Sequence, residues 1–206
     1  KNGFSYGLLS ALVTESDSSK WQNFYNPDTI YYPYKYPKKY FISRVKQDLL
    51  LGNSFLGFMS TSSLTDSNHT FSADGMANFF ENQLSIDGQI IMTSDKHKGF
   101  YGSIGLYPPG YFSAWVDYYH YEKDINFNAL GYLWRNDYTQ TKLGLKFQSL
   151  ESWNIFRNAS IILESDMEEN TDELDLGKTI ELSYDLEFDN FWVLGGGLYK
   201  IAEHFD

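Results

Sequence analysis

Residues 178–188 alternate without a break. Ile180, Leu182, Tyr184, Leu186 and Phe188 fall on one side, and Thr179, Glu181, Ser183, Asp185 and Glu187 on the other. A helix would scatter the five apolar residues around its circumference, whereas a strand collects them on one face. The same two-residue period places Leu84, Ile86, Ile90 and Met92 against Gln83, Ser85, Asp87 and Gln89. It places Phe112, Ala114, Val116 and Tyr118 against Ser113, Trp115, Asp117 and Tyr119. In 142–148 it sets Leu143, Leu145 and Phe147 against Lys142, Lys146 and Gln148. The stretches "GFSYGLLSALV", "YFISRVKQDLL", "NSFLGFMSTSS" and "WNIFRNASIILE" alternate less regularly and read as strands too.

Turn signals separate these runs. Leu51-Gly52-Asn53 predicts a tight hairpin, and Pro108-Pro109-Gly110 a second break. Residues 94–99 and 148–153 read as short connections. Residues 16–39 and 62–81 hold no sustained period and read as long loops, and the acidic stretch 165–177 as a solvated loop. About ten strands of roughly 9 to 12 residues result, whereas soluble strands usually run ~5–6 and a tilted membrane-crossing strand needs ~9–11. The pattern therefore predicts an all-β, antiparallel, up-and-down transmembrane barrel or a segment of one, with short turns on one side and long loops on the other. A soluble β-sandwich writes the same alternation. The two part on where Ile180, Leu182, Tyr184, Leu186 and Phe188 point: outward to lipid, or into an internal core.

Composition sharpens this only in part. Aromatic residues make up 18% of the 206-residue chain, yet the mean hydropathy is −0.42. Many rings on a polar average suit a barrel with aromatic girdles and a wet lumen, and also a carbohydrate-binding sandwich. A formal charge of −11 argues against a nucleic-acid partner, which requires a basic stripe. The absence of cysteine removes disulfides, thiolate metal sites and cysteine nucleophiles. No run of ~18 apolar residues is present to make a transmembrane helix. Lys1-Asn2-Gly3 leads directly into a strand-like pattern, which reads as a processed chain or an internal piece.

Candidate chemistry is sparse. His69, His97, His120 and His204 show no ligand spacing, so no metal site is expected. The acidic residues between 166 and 175 lack the ordered pattern of a calcium loop. No Gly-x-Ser-x-Gly elbow occurs, and Gly195-Gly196-Gly197 opens no phosphate-binding helix. Neither a cofactor nor catalysis is therefore expected. Trp21, Tyr31, Tyr32 and Tyr34 form the aromatic set that a sandwich would use to stack on sugar rings. In a barrel the charges on the polar sides of the strands, Arg44, Lys46, Asp48, Lys142, Lys146, Glu181, Asp185 and Glu187, would line the lumen. There they would either pair into a plug or set ion preference.

Three stretches resemble the C-terminal β-barrel region of bacterial outer-membrane proteins of unknown function. "YFISRVKQDLLLGNSFLGFMST" (40–61) is similar to that family's strand–turn–strand, with Tyr40, Phe41, Arg44, Gly52, Asn53, Ser54, Gly57 and Thr61 at the matching places. Residues 112–138 resemble its aromatic strand and the box that follows, present as Asn128, Gly131, Tyr132, Arg135 and Asp137, with Ala129 where the pattern has an Asp. "FDNFWVLGGGLY" (188–199) resembles a late strand. The resemblance implies a place in the bacterial outer membrane, lipid as a partner, and a role as channel, transporter or surface-binding platform. It transfers no catalytic residue. Full-length members carry an N-terminal domain like carbohydrate-binding module family 9, which links the region by association to glycan or polymer ligands. It also implies that 1–206 is a single barrel segment truncated at both ends, and it leaves the oligomeric state open. Tyr132 and Trp134 would then sit at headgroup level, with Arg135 and Asp137 pairing at the barrel rim or inside it.

Overall fold

The computed structural model describes residues 3–13, 38–65, 67–126, 135–149, 151–152 and 154–203. They form eleven strands: β1 (Phe4–Val13), β2 (Lys38–Leu49), β3 (Ser54–Ser63), β4 (Asn68–Phe79), β5 (Leu84–Thr93), β6 (Lys98–Leu106), β7 (Phe112–Tyr121), β8 (Tyr138–Gln148), β9 (Phe156–Glu169), β10 (Asp175–Phe188) and β11 (Val193–Glu203). All belong to one sheet in strict chain order, each antiparallel to the next. The fold is thus all-β and up-and-down. Among the described residues β1 and β11 do not pair, so the sheet is open, as a segment of a barrel would be.

Two readings from sequence change. The stretch 62–81 is no long loop: 68–79 is β4, joined to β3 by 64–67. Its alternating side is Phe71, Ala73, Gly75, Ala77 and Phe79, and the small residues hide the period. The acidic stretch 165–177 is no solvated loop either. Asp166, Glu168 and Glu169 lie in β9 and Asp175 in β10, leaving Asp172 and Glu173 in a tight turn. Register shifts at Asp175/Gly177 and Glu187/Phe188 mark bulges at both ends of the β9–β10 ladder.

Register fixes which side chains share a face, because directly opposed residues in an antiparallel pair point the same way. One ladder row runs Val45, Phe58, Ala73, Ile90 and Phe100. Another runs Leu84, Leu106, Ala114, Leu145, Leu163, Leu182 and Leu198. This apolar face carries nothing over it among the described elements. Ile90 is 55%, Ile104 54% and Ile180 52% exposed. Of the other side chains that separate the barrel from the sandwich, Leu182 and Tyr184 are also exposed, whereas Leu186 and Phe188 are half-buried. The only described hydrophobic side chain that is buried is Ile125, in the β7–β8 connection.

The opposite face is polar and more enclosed. Thr61, Thr70, Ser72, Thr93 and Gln140 are buried on it. Side chains that converge shield one another and those that diverge do not, so the sheet curls with its polar face inward.

The two ends of the sheet differ. At one end the connections are 50–53, 80–83, 107–111, 149–155 and 189–192, all short. Leu51, Phe80, Tyr111, Phe191 and Trp192 are exposed there. The strand ends on the other side are connected in sequence by 14–37, 64–67, 94–97, 122–137 and 170–174, two of them long; 14–37, which holds nearly all of the expected loop 16–39, and 127–134 lie outside the described residues. The described residues of these connections are mostly polar.

Glycines on the polar face seat aromatic rings. Gly105, Trp115 and Gly144 are directly opposed on β6, β7 and β8. A Cβ on Gly144 would collide with the Trp115 indole, and one on Gly105 with the Tyr107 ring. Gly99 faces Tyr121, whose ring atom Cδ1 lies 2.6 Å from where a Cβ would stand. Each ring lies down over a backbone that has no side chain, the packing known as aromatic rescue of glycine. Gly144→Ala should therefore displace the indole and cost about 1–3 kcal/mol in denaturant unfolding, as overpacking does. Gly110→Ala, at an open position, should leave the midpoint unchanged. Equal midpoints for both variants would mean that the indole does not rest on Gly144.

Candidate functional site

The polar face is where the chain concentrates chemistry. One row across it reads Ser5, Lys46, Gly57, Asp74, Gln89, Tyr101, Tyr119, Gln140, Glu168 and Gly177. The next reads Asp48, Phe55, Met76, Asp87, Ser103, Asp117, Lys142, Asp166, Thr179 and Ile201. All eight charges read from the sequence as lumen candidates project from this face. Arg44 lies opposite Gly7 and Met59, Lys146 opposite Ser113 and Ile162, Glu181 opposite Glu164, Asp185 opposite Ser160, and Glu187 opposite Asn158.

They do not gather into one cluster. Three zones follow one another around the curl. On β2–β4, the Arg44 guanidinium Nη2 donates to Asp74 Oδ2 at 2.6 Å. Gly57, between them, makes room: a Cβ there would stand 2.8 Å from Asp74 Oδ1 and 3.1 Å from Arg44 Nη2. Lys46 Nζ sits 3.1 Å from Asp48 Oδ1 and 4.5 Å from the centre of the Phe55 ring. On β5–β7 stand Gln89, Tyr101, Tyr119 and Tyr121, with the Tyr101 and Tyr119 ring centres 4.8 Å apart.

On β8–β10 carboxylates dominate. Gln140 Nε2 donates to Asp166 Oδ2 at 2.7 Å and to Glu168 Oε1 at 3.1 Å. Tyr138 donates its hydroxyl to Glu168 Oε1 at 3.1 Å, and Lys142 Nζ lies 3.7 Å from Asp166 Oδ2. Glu187 faces Arg157 at 3.6 Å. Lys146, Glu181 and Asp185 have no ion-pair partner among the described residues. Glu164 and Glu181 are directly opposed, an arrangement that like charges disfavour.

Reading the sequence missed Asp74, Gln140, Asp166 and Glu168 as members of this face. Asp74 sits in the Ala- and Gly-rich β4, whose period is faint. Asp166 and Glu168 sit where acidic density imitates a loop. Continuing the alternation of Ile161 and Leu163 through Ser165 to Met167 would have found both.

Of the box on 128–137, Asn128, Gly131 and Tyr132 lie outside the described residues, as does Trp134. So do Trp21, Tyr31, Tyr32, Tyr34 and His204. Arg135 is exposed. Asp137 is held, but not by Arg135 as expected: its Oδ1 accepts from the backbone N–H of Thr171 at 3.0 Å and from the Thr171 hydroxyl. Arg135 and Lys123 act on it only through their charge. Asp137 takes up the left-handed backbone at φ 54°, and its N–H donates to Glu122 O at 3.4 Å. Asn136 Nδ2 donates to Lys123 O, and Lys123 Nζ lies 3.9 Å from Asp172. The β7–β8 connection is thereby clasped to the β9–β10 turn. His120 lies on the apolar face near this end, its Nδ1 2.9 Å from the Thr139 hydroxyl.

No described helix is long and apolar enough to cross a membrane, which says nothing of strands. Among the described residues no group of three or more His, Asp or Glu side chains is placed to hold a metal ion. Compared with known protein families, characterised proteins and solved structures, the chain matches none.

The two hydrogen bonds from Thr171 hold the Asp137 carboxyl below its ordinary value. A depressed carboxylate adds stability that is fully present above the ordinary carboxylate pKa of about 3.9 and is lost as pH falls through the lower, folded value. The Thr171 amide should therefore be protected from hydrogen exchange at neutral pH and lose that protection only below about pH 4. Asp137→Ala should expose the amide at every pH and abolish the pH dependence. Unchanged protection in that variant would show that the clasp does not exist.

Proposed function

We propose that these residues form part of a β-barrel embedded in the bacterial outer membrane, a wet-lumened channel, transporter or binding platform rather than a catalyst. The observation that carries this reading is the distribution of burial: the apolar face is exposed across eleven strands, and Ile125 is the one buried hydrophobic side chain among the described residues. At about 4.8 Å per strand and about 3.3 Å per residue, that face spans roughly 1,500 Å². A soluble monomer rarely exposes a contiguous apolar patch beyond a few hundred Å². Lipid covers such a face without leaving a polar group unpaired, because the ladder satisfies the backbone internally. Strand lengths of 9 to 14 residues fit the same setting.

The ends suit an orientation as well. Short turns with exposed Tyr111, Phe191 and Trp192 fit the periplasmic interface, where aromatic rings settle at headgroup level. The longer connections fit the outside. The rival reading, a soluble sandwich binding sugar, requires a second sheet over the apolar face. The described residues supply one sheet.

Two measurements test the proposal. Leu163→Arg, at mid-strand on the apolar face, should cost about 2–4 kcal/mol in folding into lipid vesicles. Ser183→Arg, on the polar face, should insert normally. Equal folding of both variants, or a wild-type protein that stays monodisperse in plain buffer without detergent, would sink the membrane reading. Acidic groups outnumber basic ones on the polar face, so currents across a planar bilayer should prefer cations. The double change Glu164→Gln and Glu181→Gln should shift the reversal potential toward zero. An anion preference in the wild type would contradict the lumen assignment.

A further inference from the structure

The polar face carries an aromatic track, and we infer that it binds a linear, neutral oligosaccharide lengthwise. This rests on the reading of that face as a lumen. Tyr121, Tyr119 and Trp115 all project from it along β7, with Tyr101 beside Tyr119 and Tyr138 beside Tyr121. From Tyr121 to Trp115 is about 20 Å at ~3.4 Å per residue, the length of several sugar rings in a row.

Three features favour a sugar over other ligands. First, the track is a row of rings, two of them seated on glycine. Trp115 and Tyr121 lie down over Gly144 and Gly99, positions where any Cβ would lift them away. A ring seated over backbone that carries no Cβ is held close to the sheet, and the C–H face of a pyranose packs on aromatic rings. Second, the rings alternate with groups that take hydroxyls. Asp117 stands between Tyr119 and Trp115 on the strand, and Asp87 and Ser103 are opposed to it across β5 and β6. Gln89 and Gln140 flank the Tyr101–Tyr119 pair on either side. Carboxylates and amides accept and donate in the pairs that vicinal hydroxyls offer. Third, the acidic excess repels anions, which selects a neutral chain over a uronate or a phosphorylated one.

The track also explains an otherwise costly arrangement. Tyrosines and a tryptophan on the wet side of the sheet forgo burial on the lipid side, while glycines that weaken their strands accommodate them. A lumen needing only water would be served by Ser and Thr.

The test uses the protein folded into vesicles, with insertion verified by heat-modifiable gel migration. Linear glucose oligomers of two to seven units are titrated by calorimetry, beside galacturonate oligomers of matched length. Affinity should rise with glucose chain length and level off near the length of the track, while the uronates bind more weakly. Trp115→Phe and Tyr119→Ala should each weaken the longer oligomers roughly tenfold, and Tyr184→Ala on the opposite face should not. An inserted protein that binds no oligomer, or binds all lengths alike, overturns the track and leaves the membrane reading standing. A protein that fails to insert overturns the membrane reading, and the track with it. Should Tyr119→Ala not fold, Asp117→Ala decides the same point by loss of hydroxyl recognition.

Discussion

The antiparallel hydrogen-bond ladder is the constraint on which the other features depend. It runs from β1 to β11 without a crossover, so each interior strand finds both of its partners among its neighbours in sequence. Because the backbone is satisfied within the sheet, neither face needs a second layer to complete it. The faces are then free to differ completely. Side-chain alternation sends most of the Leu, Ile, Val and Phe one way and most of the charges the other, with exceptions such as Phe55 and Ile201 on the polar face and Lys98 and Lys200 on the apolar one, and a slip of one residue in any strand would exchange the two sets. Register, more than any single contact, keeps Arg44 beside Asp74 and Gln140 beside Asp166 and Glu168.

Curl turns that difference into an inside and an outside. Polar side chains crowd on the concave face until Thr70, Ser72 and Gln140 are buried, and the apolar ones fan apart. Crowding creates a packing problem that glycine solves. Gly57 admits the Arg44–Asp74 pair, and Gly99, Gly105 and Gly144 admit the rings of Tyr121, Tyr107 and Trp115. These residues carry no chemistry themselves, yet they decide which chemistry fits.

Much of this was legible in the sequence where the alternating residues are large. Ile180 through Phe188 and Leu143 through Phe147 announce their strands, and the lumen candidates Glu181 and Lys142 follow from phase alone. Legibility failed where one side of the period is small or the other heavily charged. Phe71-Ala73-Gly75-Ala77 carries too little hydrophobic contrast to be seen, and with β4 went Asp74, the partner of Arg44. Asp166 to Glu169 looks like solvated loop because acidic density outweighs the apolar phase of Leu163 and Met167. The Asp137–Thr171 clasp joins residues 34 apart, a distance no local pattern reports. What sequence supplies is phase within a strand, whereas pairing between strands comes from the ladder.

The open edges bear on the same physics. Strict antiparallel succession over eleven strands leaves β1 and β11 running in the same direction. The ladder used everywhere else cannot join them. In water an unpaired edge is a hazard of aggregation, but in lipid its free N–H and C=O groups each cost several kcal/mol. A bilayer setting therefore demands either a parallel seam between β1 and β11 or an odd number of strands between them. Both solutions keep the polar face inward, since closure follows the existing curl. The directly opposed Glu164 and Glu181 are then tolerable on the proposed reading of that face as a wet lumen. A lumen that stays wet screens like charges, and one that dried out would expel them.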